Sequence, residues 1–202
     1  PAADATGPGY ASVTFSVRDS ASSYDAAPNT LTFDVTPVND APVNTVPGAQ
    51  TVNEDTALAL SGLSVADVDG NLSTVQLGVG NGTLSVTLQG TATISAGSSG
   101  TGSLTLAGSQ TDLNATLATL IYQGSAHFNG SDTLTVTSTD SNSLTDVDTV
   151  AITVMPQNDA PTLSANTGST AAEGGTDTIT ASELAVTDVD NSAAQLTYSI
   201  GT

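Results

Sequence analysis

The tetrapeptide Asn39-Asp40-Ala41-Pro42 returns unchanged as Asn158-Asp159-Ala160-Pro161, 119 residues later. That period is about the length of one all-β sandwich domain. Each copy follows an alternating apolar run, Leu31-Thr32-Phe33-Asp34-Val35 before the first and Val150-Ala151-Ile152-Thr153-Val154 before the second. Each also precedes the same acidic signature, Asp67-Val68-Asp69 and then Asp188-Val189-Asp190. Strand, acidic joint, new unit and acidic loop recur in one order. The repeat predicts one complete unit, residues 41–159, preceded by the closing part of another (1–40) and followed by the opening part of a third (160–202). With no initiating Met and both ends inside a repeat, the chain reads as an excerpt of a longer array.

Between the joints the dominant period is two, the signature of half-buried strands. It runs through Ser12–Val17, Leu58 and Leu60, Val75 to Val79, Leu84 to Leu88, Leu104 and Leu106, Leu134 and Val136, and Leu196 to Ile200. Asn81-Gly82 predicts a tight hairpin turn, and Gly97–Gly102 a flexible loop. Asp146-Val147-Asp148 reads as a solvated loop. Only Leu113, Leu117 and Leu120 stand at helical spacing, so one or two helical turns are expected there, capped by Thr111 or Asp112. Their leucines are assigned to the core. The fold class is all-β, as tandem Ig-like sandwiches. The two strands of residues 1–40 cannot close a sandwich unaided.

The formal charge is −19, with 20 acidic residues against one basic residue, Arg18. Phosphate binding needs Lys and Arg, so nucleic acid is excluded as a partner. No apolar stretch is long enough for a helical span, so direct membrane insertion is not expected. Self-repulsion disfavours the compact state unless cations neutralise it. With no cysteines, no disulfide supplies the missing stability. Disorder would need low hydrophobicity, whereas 38% of this chain is hydrophobic and alternates.

Calcium binding takes six to eight oxygen ligands, more than one Asp-x-Asp loop supplies. The joints meet that demand by convergence: Asn39 and Asp40 with Asp67 and Asp69, and Asn158 and Asp159 with Asp188 and Asp190. Pro42 and Pro161 keep the preceding residue extended. Either motif alone is ordinary turn chemistry. Their joint recurrence at one period is what points to Ca2+.

The order Glu54, Ala66-Asp67-Val68-Asp69-Gly70-Asn71, Asp132, Val136-Thr137-Ser138-Thr139-Asp140 and Asn158-Asp159-Ala160-Pro161 resembles the cadherin repeat. Among its bacterial relatives it is most similar to the cadherin-like tandem repeats of large adhesins exported by type I secretion. The third unit resembles a sister subtype. The resemblance implies calcium between domains, a position on the bacterial cell surface and a part in adhesion and biofilm attachment. It implies that Asn39 and Asp40 share ions with Asp67, Asp69 and Asp140. At the second joint, Glu54 and Asp132 would stand beside Asn158 and Asp159, facing Asp188 and Asp190. The linker and the segment before Asp132 are shorter than in cadherins, implying fewer or weaker ions.

The implied partners are the neighbouring repeats and, through exchanged strands, other copies of the chain in a filament or surface layer. An accessory module of a polysaccharide-active enzyme is the remaining alternative, disfavoured by the absence of Trp and 3% aromatic content. No catalytic role is expected. His127, the single histidine, is assigned to the surface or the edge of the core. The Asn-x-Ser/Thr sequons at Asn71, Asn81, Asn114 and Asn129 are chance products of a Ser/Thr-rich chain.

Overall fold

In the computed structural model, which describes residues 1–199, strands form where apolar and polar residues alternate. β1 (Gly7–Phe15) and β2 (Asn29–Val35) make an antiparallel hairpin. β3 (Val43–Thr45), β4 (Gln50–Asn53), β5 (Ala57–Ala59), β6 (Ser64–Ala66) and β7 (Leu72–Gly78) follow. Next come β8 (Gly82–Ser85), β9 (Thr93–Gly97), β10 (Ser103–Ala107) and the single α-helix of the described residues, α1 (Gln110–Leu117). β11 (Ile121–Gly124), β12 (Gly130–Asp140) and β13 (Thr145–Met155) complete the middle segment. β14 (Thr162–Asn166) pairs with β15 (Leu184–Thr187), and a 3-10 turn occupies Ala193–Gln195.

The middle segment is an all-β sandwich. One sheet runs β4-β13-β12-β7-β10-β9, a second runs β5-β11-β8, and β3 pairs with β6. The β4–β13 pair alone is parallel among these ladders. Val75, Leu77, Leu104, Leu106, Leu134 and Ile152 of the larger sheet meet Leu84 and Tyr122 of the smaller in one buried cluster. Full burial of each such side chain contributes about 1.5–3 kcal/mol. Among the described residues, no ladder joins β1–β2 or β14–β15 to these sheets, and no helix is long and apolar enough to cross a membrane.

β12 positions the chemistry. Its buried face reads Asp132, Leu134, Val136, Ser138, Asp140: a carboxylate at each end, with two apolar residues and a buried serine between. At ~3.3 Å per residue, these carboxylates mark points roughly 26 Å apart along the sandwich. Asp132 ties the two sheets together. Its Oδ1 accepts from the amides of Gly80 (3.0 Å) and Thr133 (2.8 Å). Its Oδ2 accepts from the Asn81 amide (2.9 Å) and the Tyr122 hydroxyl (2.9 Å). Burial alone pushes the Asp132 pKa upward, but these four donors together hold it below 3.8. Burial and the neighbouring carboxylate push the Tyr122 phenol up.

Several expectations are corrected. Asn81-Gly82 makes no hairpin: β7 pairs with β10 and β12, whereas β8 crosses to the other sheet beside β11. Gly82 is needed for space, because a Cβ there would lie 2.5 Å from the Gln123 carbonyl oxygen. The helix is capped by Ser109, whose Oγ accepts from the Asp112 amide, rather than by Thr111 or Asp112. Asp112 instead ties Thr91 through its amide and hydroxyl. The three leucines are fully buried, as expected. Gly97 ends a strand, β9, absent from the sequence reading. Asp146–Asp148 lie in β13, where Asp146 Oδ2 accepts from the Asn44 amide at 2.7 Å. Leu196 and Tyr198 form no strand, and Ile200 lies outside the described residues.

Replacing Asp132 by Asn takes an acceptor from two of the four donors. Urea denaturation should show a loss of about 1.5–3 kcal/mol at pH 7, the scale of hydrogen bonds to a charged group. Because the folded pKa is depressed, this stability is present above 3.8 and is lost as pH falls through the lower folded value. The gap between wild type and Asp132→Asn should therefore close in acid, while a gap independent of pH would refute the assignment.

Candidate cation sites at the acidic joints

At the first joint, Asn39 and Asp40 reach two loops of the sandwich. The Asp40 amide donates to Asp69 Oδ2 at 2.7 Å, and the Asn39 Nδ2 donates to Asp140 Oδ2 at 2.6 Å. Asp67, on the loop after β6, accepts the amides of Asp69, Gly70 and Asn71 on Oδ1. Gly70 has φ 70°, the left-handed conformation this turn requires. The structure thus brings together Asn39, Asp40, Asp67, Asp69 and Asp140.

The second joint repeats the arrangement. The Asp159 amide donates to Asp190 Oδ2 at 2.6 Å, and Asp188 Oδ1 accepts the amides of Asp190 and Asn191. Asn158 Nδ2 donates to the Asp159 carbonyl oxygen at 2.8 Å, as Asn39 does to that of Asp40 at 3.2 Å. Glu54 is buried nearby and accepts from the Gln157 amide and Asn129 Nδ2. Asp132 does not join this group. Two carboxylate oxygens offer about four acceptor positions, and all four are taken within the sandwich.

The sequence reading left two asparagines out of the candidate set. Asn71 lies between Asn39 and Asp67, and Asn191 between Asn158 and Asp188. Their signal was present, since Asn follows the acidic loop at both joints. At the first joint the amides are frustrated. With Asn71 Nδ2 on Asn39 Oδ1 (2.5 Å), its own oxygen faces the Asp67 carboxylate. Turned to donate to Asp67 (3.0 and 3.2 Å), it presents its oxygen to Asn39 Oδ1 at 2.5 Å. With the Asn39 amide held in this orientation, two acceptors meet either way.

Charge at the joints is held by neutral donors. Burial works to raise the Asp140 pKa, but Asn39 and the amides of Leu144, Asn142 and Ser143 bring it below its ordinary value. Asp188 is lowered against the same burial effect by the side chain and amide of Asn191 and the Asp190 amide. Among the described residues, the Asp40 carboxylate, Asp69 Oδ1, Asp159 Oδ1, Asp188 Oδ2 and Asp190 Oδ1 accept no protein hydrogen bond. The free oxygens at each joint, with the asparagine carbonyls, suit a hard cation. Asp4, not among the expected ligands, lines a cleft of about 480 Å³ with Asp40 and Asp69.

His127 is exposed, as its assignment to the surface expects, and it also stands at the second joint. Its Nδ1 stands 2.8 Å from Asp159 Oδ2 and 3.3 Å from Asp55 Oδ2. The hydrogen bond with Asp159 is the main cause of its raised pKa, opposed by desolvation and reinforced by the charges of Asp159, Asp55 and Glu54.

Residues 52–149, a little under half of the chain, match the model of the Protein GAMETE EXPRESSED 2 domain. No curated protein sequence matches. Among solved structures, the crystal structure of the S-layer protein SbsC domains 4 and 5 is similar over 66% of this chain and 55% of that one, with 20% identity and a TM-score of 0.29. The chain spans little more than half of that structure, and a likeness of this degree bears on neither fold nor function. The family match runs from within β4 into β13, between the two Asn-Asp-Ala-Pro linkers.

Proposed function

We propose that the chain is a non-catalytic spacer of a multi-repeat bacterial surface adhesin, in which Ca2+ at the acidic joints holds successive units in line. The supporting observation is the recurrence of one donor arrangement at both joints: linker Asn and Asp, an Asp-x-Asp loop and the Asn that follows it. Weak sites suit this role, since extracellular calcium modules work at about 10⁻⁴–10⁻³ M. The candidate ligands are Asn39, Asp40, Asp67, Asp69, Asn71 and Asp140 at the first joint. At the second they are Asn158, Asp159, Asp188, Asp190 and Asn191, with Glu54 bordering them.

A second reading, pairing between copies in a filament or surface layer, draws on the β1–β2 hairpin. Its Val13↔Leu31 register matches Leu134↔Val150 in β12–β13. Yet Val13 and Leu31 are each 51% exposed, against 0% and 1% for their counterparts. Strands of another copy would cover that face. A chain that sediments as a monomer at high concentration would remove this reading.

Calcium should raise the thermal midpoint, by about 2.7 kcal/mol of stability at 100 times the dissociation constant. In small-angle scattering the maximum dimension should shorten in chelator, and an unchanged dimension would refute calcium-dependent alignment. Asn39→Asp sets a carboxylate against Asp140. In chelator it should lower the thermal midpoint by like-charge repulsion, and calcium should restore most of the loss. If calcium leaves that deficit intact, Asn39 does not belong to an ion site.

A further inference from the structure

Outside the oxygen-only clusters stands one group of mixed chemistry. Asp55 lies in the turn between β4 and β5, His127 in the loop between β11 and β12, and Asp159 in the linker after β13. One ligand atom from each lies within 4.8 Å of the other two. The loops hold one another, because the His127 amide donates to Asp55 Oδ1 at 3.0 Å. Both residues sit at positive φ, 57° for Asp55 and 56° for His127. The imidazole lines a cleft of about 520 Å³ together with Asp159, Thr162, Thr187 and Asp188.

We propose that Asp55, His127 and Asp159 form a site for a late first-row divalent ion, Zn2+ being the probe of choice. Calcium and magnesium bind through oxygen, whereas imidazole nitrogen with carboxylate oxygen suits zinc and its neighbours. In a tetrahedral zinc site, ligands at about 2.0–2.2 Å from the ion stand roughly 3.3–3.5 Å apart. The Nδ1 separation of 3.3 Å from Asp55 meets the lower end of that spacing, and that of 2.8 Å from Asp159 falls about half an ångström short of it. Moving the Asp159 carboxylate out by that amount opens room for the ion. The three residues leave one position open, and the cleft admits water to it. The site joins the sandwich to the linker and shares Asp159 with the calcium reading, whereas Asp55 and His127 are outside the calcium set and so separate the two sites in a test.

The whole chain carries a single histidine, so its imidazole resonances report on this site alone. At pH 7.5, one equivalent of Zn2+ should shift the His127 ring nitrogens, with Nδ1 the metallated one, and Co2+ should give tetrahedral d–d absorption. Excess Ca2+ should produce neither effect. His127→Asn keeps a residue that tolerates positive φ and should weaken Zn2+ binding at least tenfold while leaving the Ca2+ response intact. Asp55→Asn should behave likewise. Unmoved ring resonances, Zn2+ affinity unchanged in His127→Asn, or displacement of Zn2+ by equimolar Ca2+ would each overturn the proposal. A simple ion pair between His127 and its carboxylates would then stand in its place.

Discussion

Nearly every charge in this molecule has one sign, and its buried carboxylates have no cationic side chain to meet. Arg18, the lone basic residue, lies over the Tyr24 ring of the first hairpin, 5.9 Å from its centre. A buried carboxylate must therefore draw on amides, hydroxyls or ions from solution. Where the fold supplies enough donors, as around Asp132, the acid becomes an internal tie between sheets. Where it supplies too few, as at the joints, oxygens are left facing one another. The same scarcity of cations yields a structural acid in one place and a candidate binding site in the other.

The sandwich distributes these two outcomes through the geometry of one strand. β12 is long enough to run the length of the middle segment, and its period of two puts Asp132 and Asp140 on the same buried face. Three positions between them carry the core and the buried Ser138. Asp140 therefore emerges beside Asn39, and Asp132 sits under the crossing from β7 to β8. The parallel pairing of β4 with β13 sets Glu54 beside the start of the linker, where its carboxylate accepts from Gln157. The first joint is thus built on the end of a core strand, and the parallel pair brings Glu54 to the border of the second.

The strand content, the short helix with its buried Leu113 and Leu117, and the pairing of Asn-Asp-Ala-Pro with the next Asp-x-Asp loop were legible because they depend on local pattern. Alternation dictates which residues face inward, and the repeat links two segments by recurrence alone. Less was legible where two distant segments compete for one group. Asn81-Gly82 has hairpin chemistry, yet Asp132 captures the amides at the crossing and Tyr122 leaves no space for a Cβ at Gly82. Asp132 has the sequence position of a metal ligand, but its acceptor positions are filled by groups as far as 52 residues away in the chain. Ser109 caps the helix in place of the expected neighbours because the helix begins at Gln110, which puts Thr111 and Asp112 inside its first turn.

The sequence by itself determined the alternation that makes an all-β sandwich, the excess negative charge, and the recurrence of linker and acidic loop. These follow from residue types and their spacing, which no long-range contact can alter. Only the tertiary structure decided which acids are satisfied internally and which are left open. It also decided that a lone histidine, far in sequence from both Asp55 and Asp159, stands between them. Whether an oxygen is free depends on the donors that packing brings within hydrogen-bonding distance, and those donors come from strands that meet only when the sheets close.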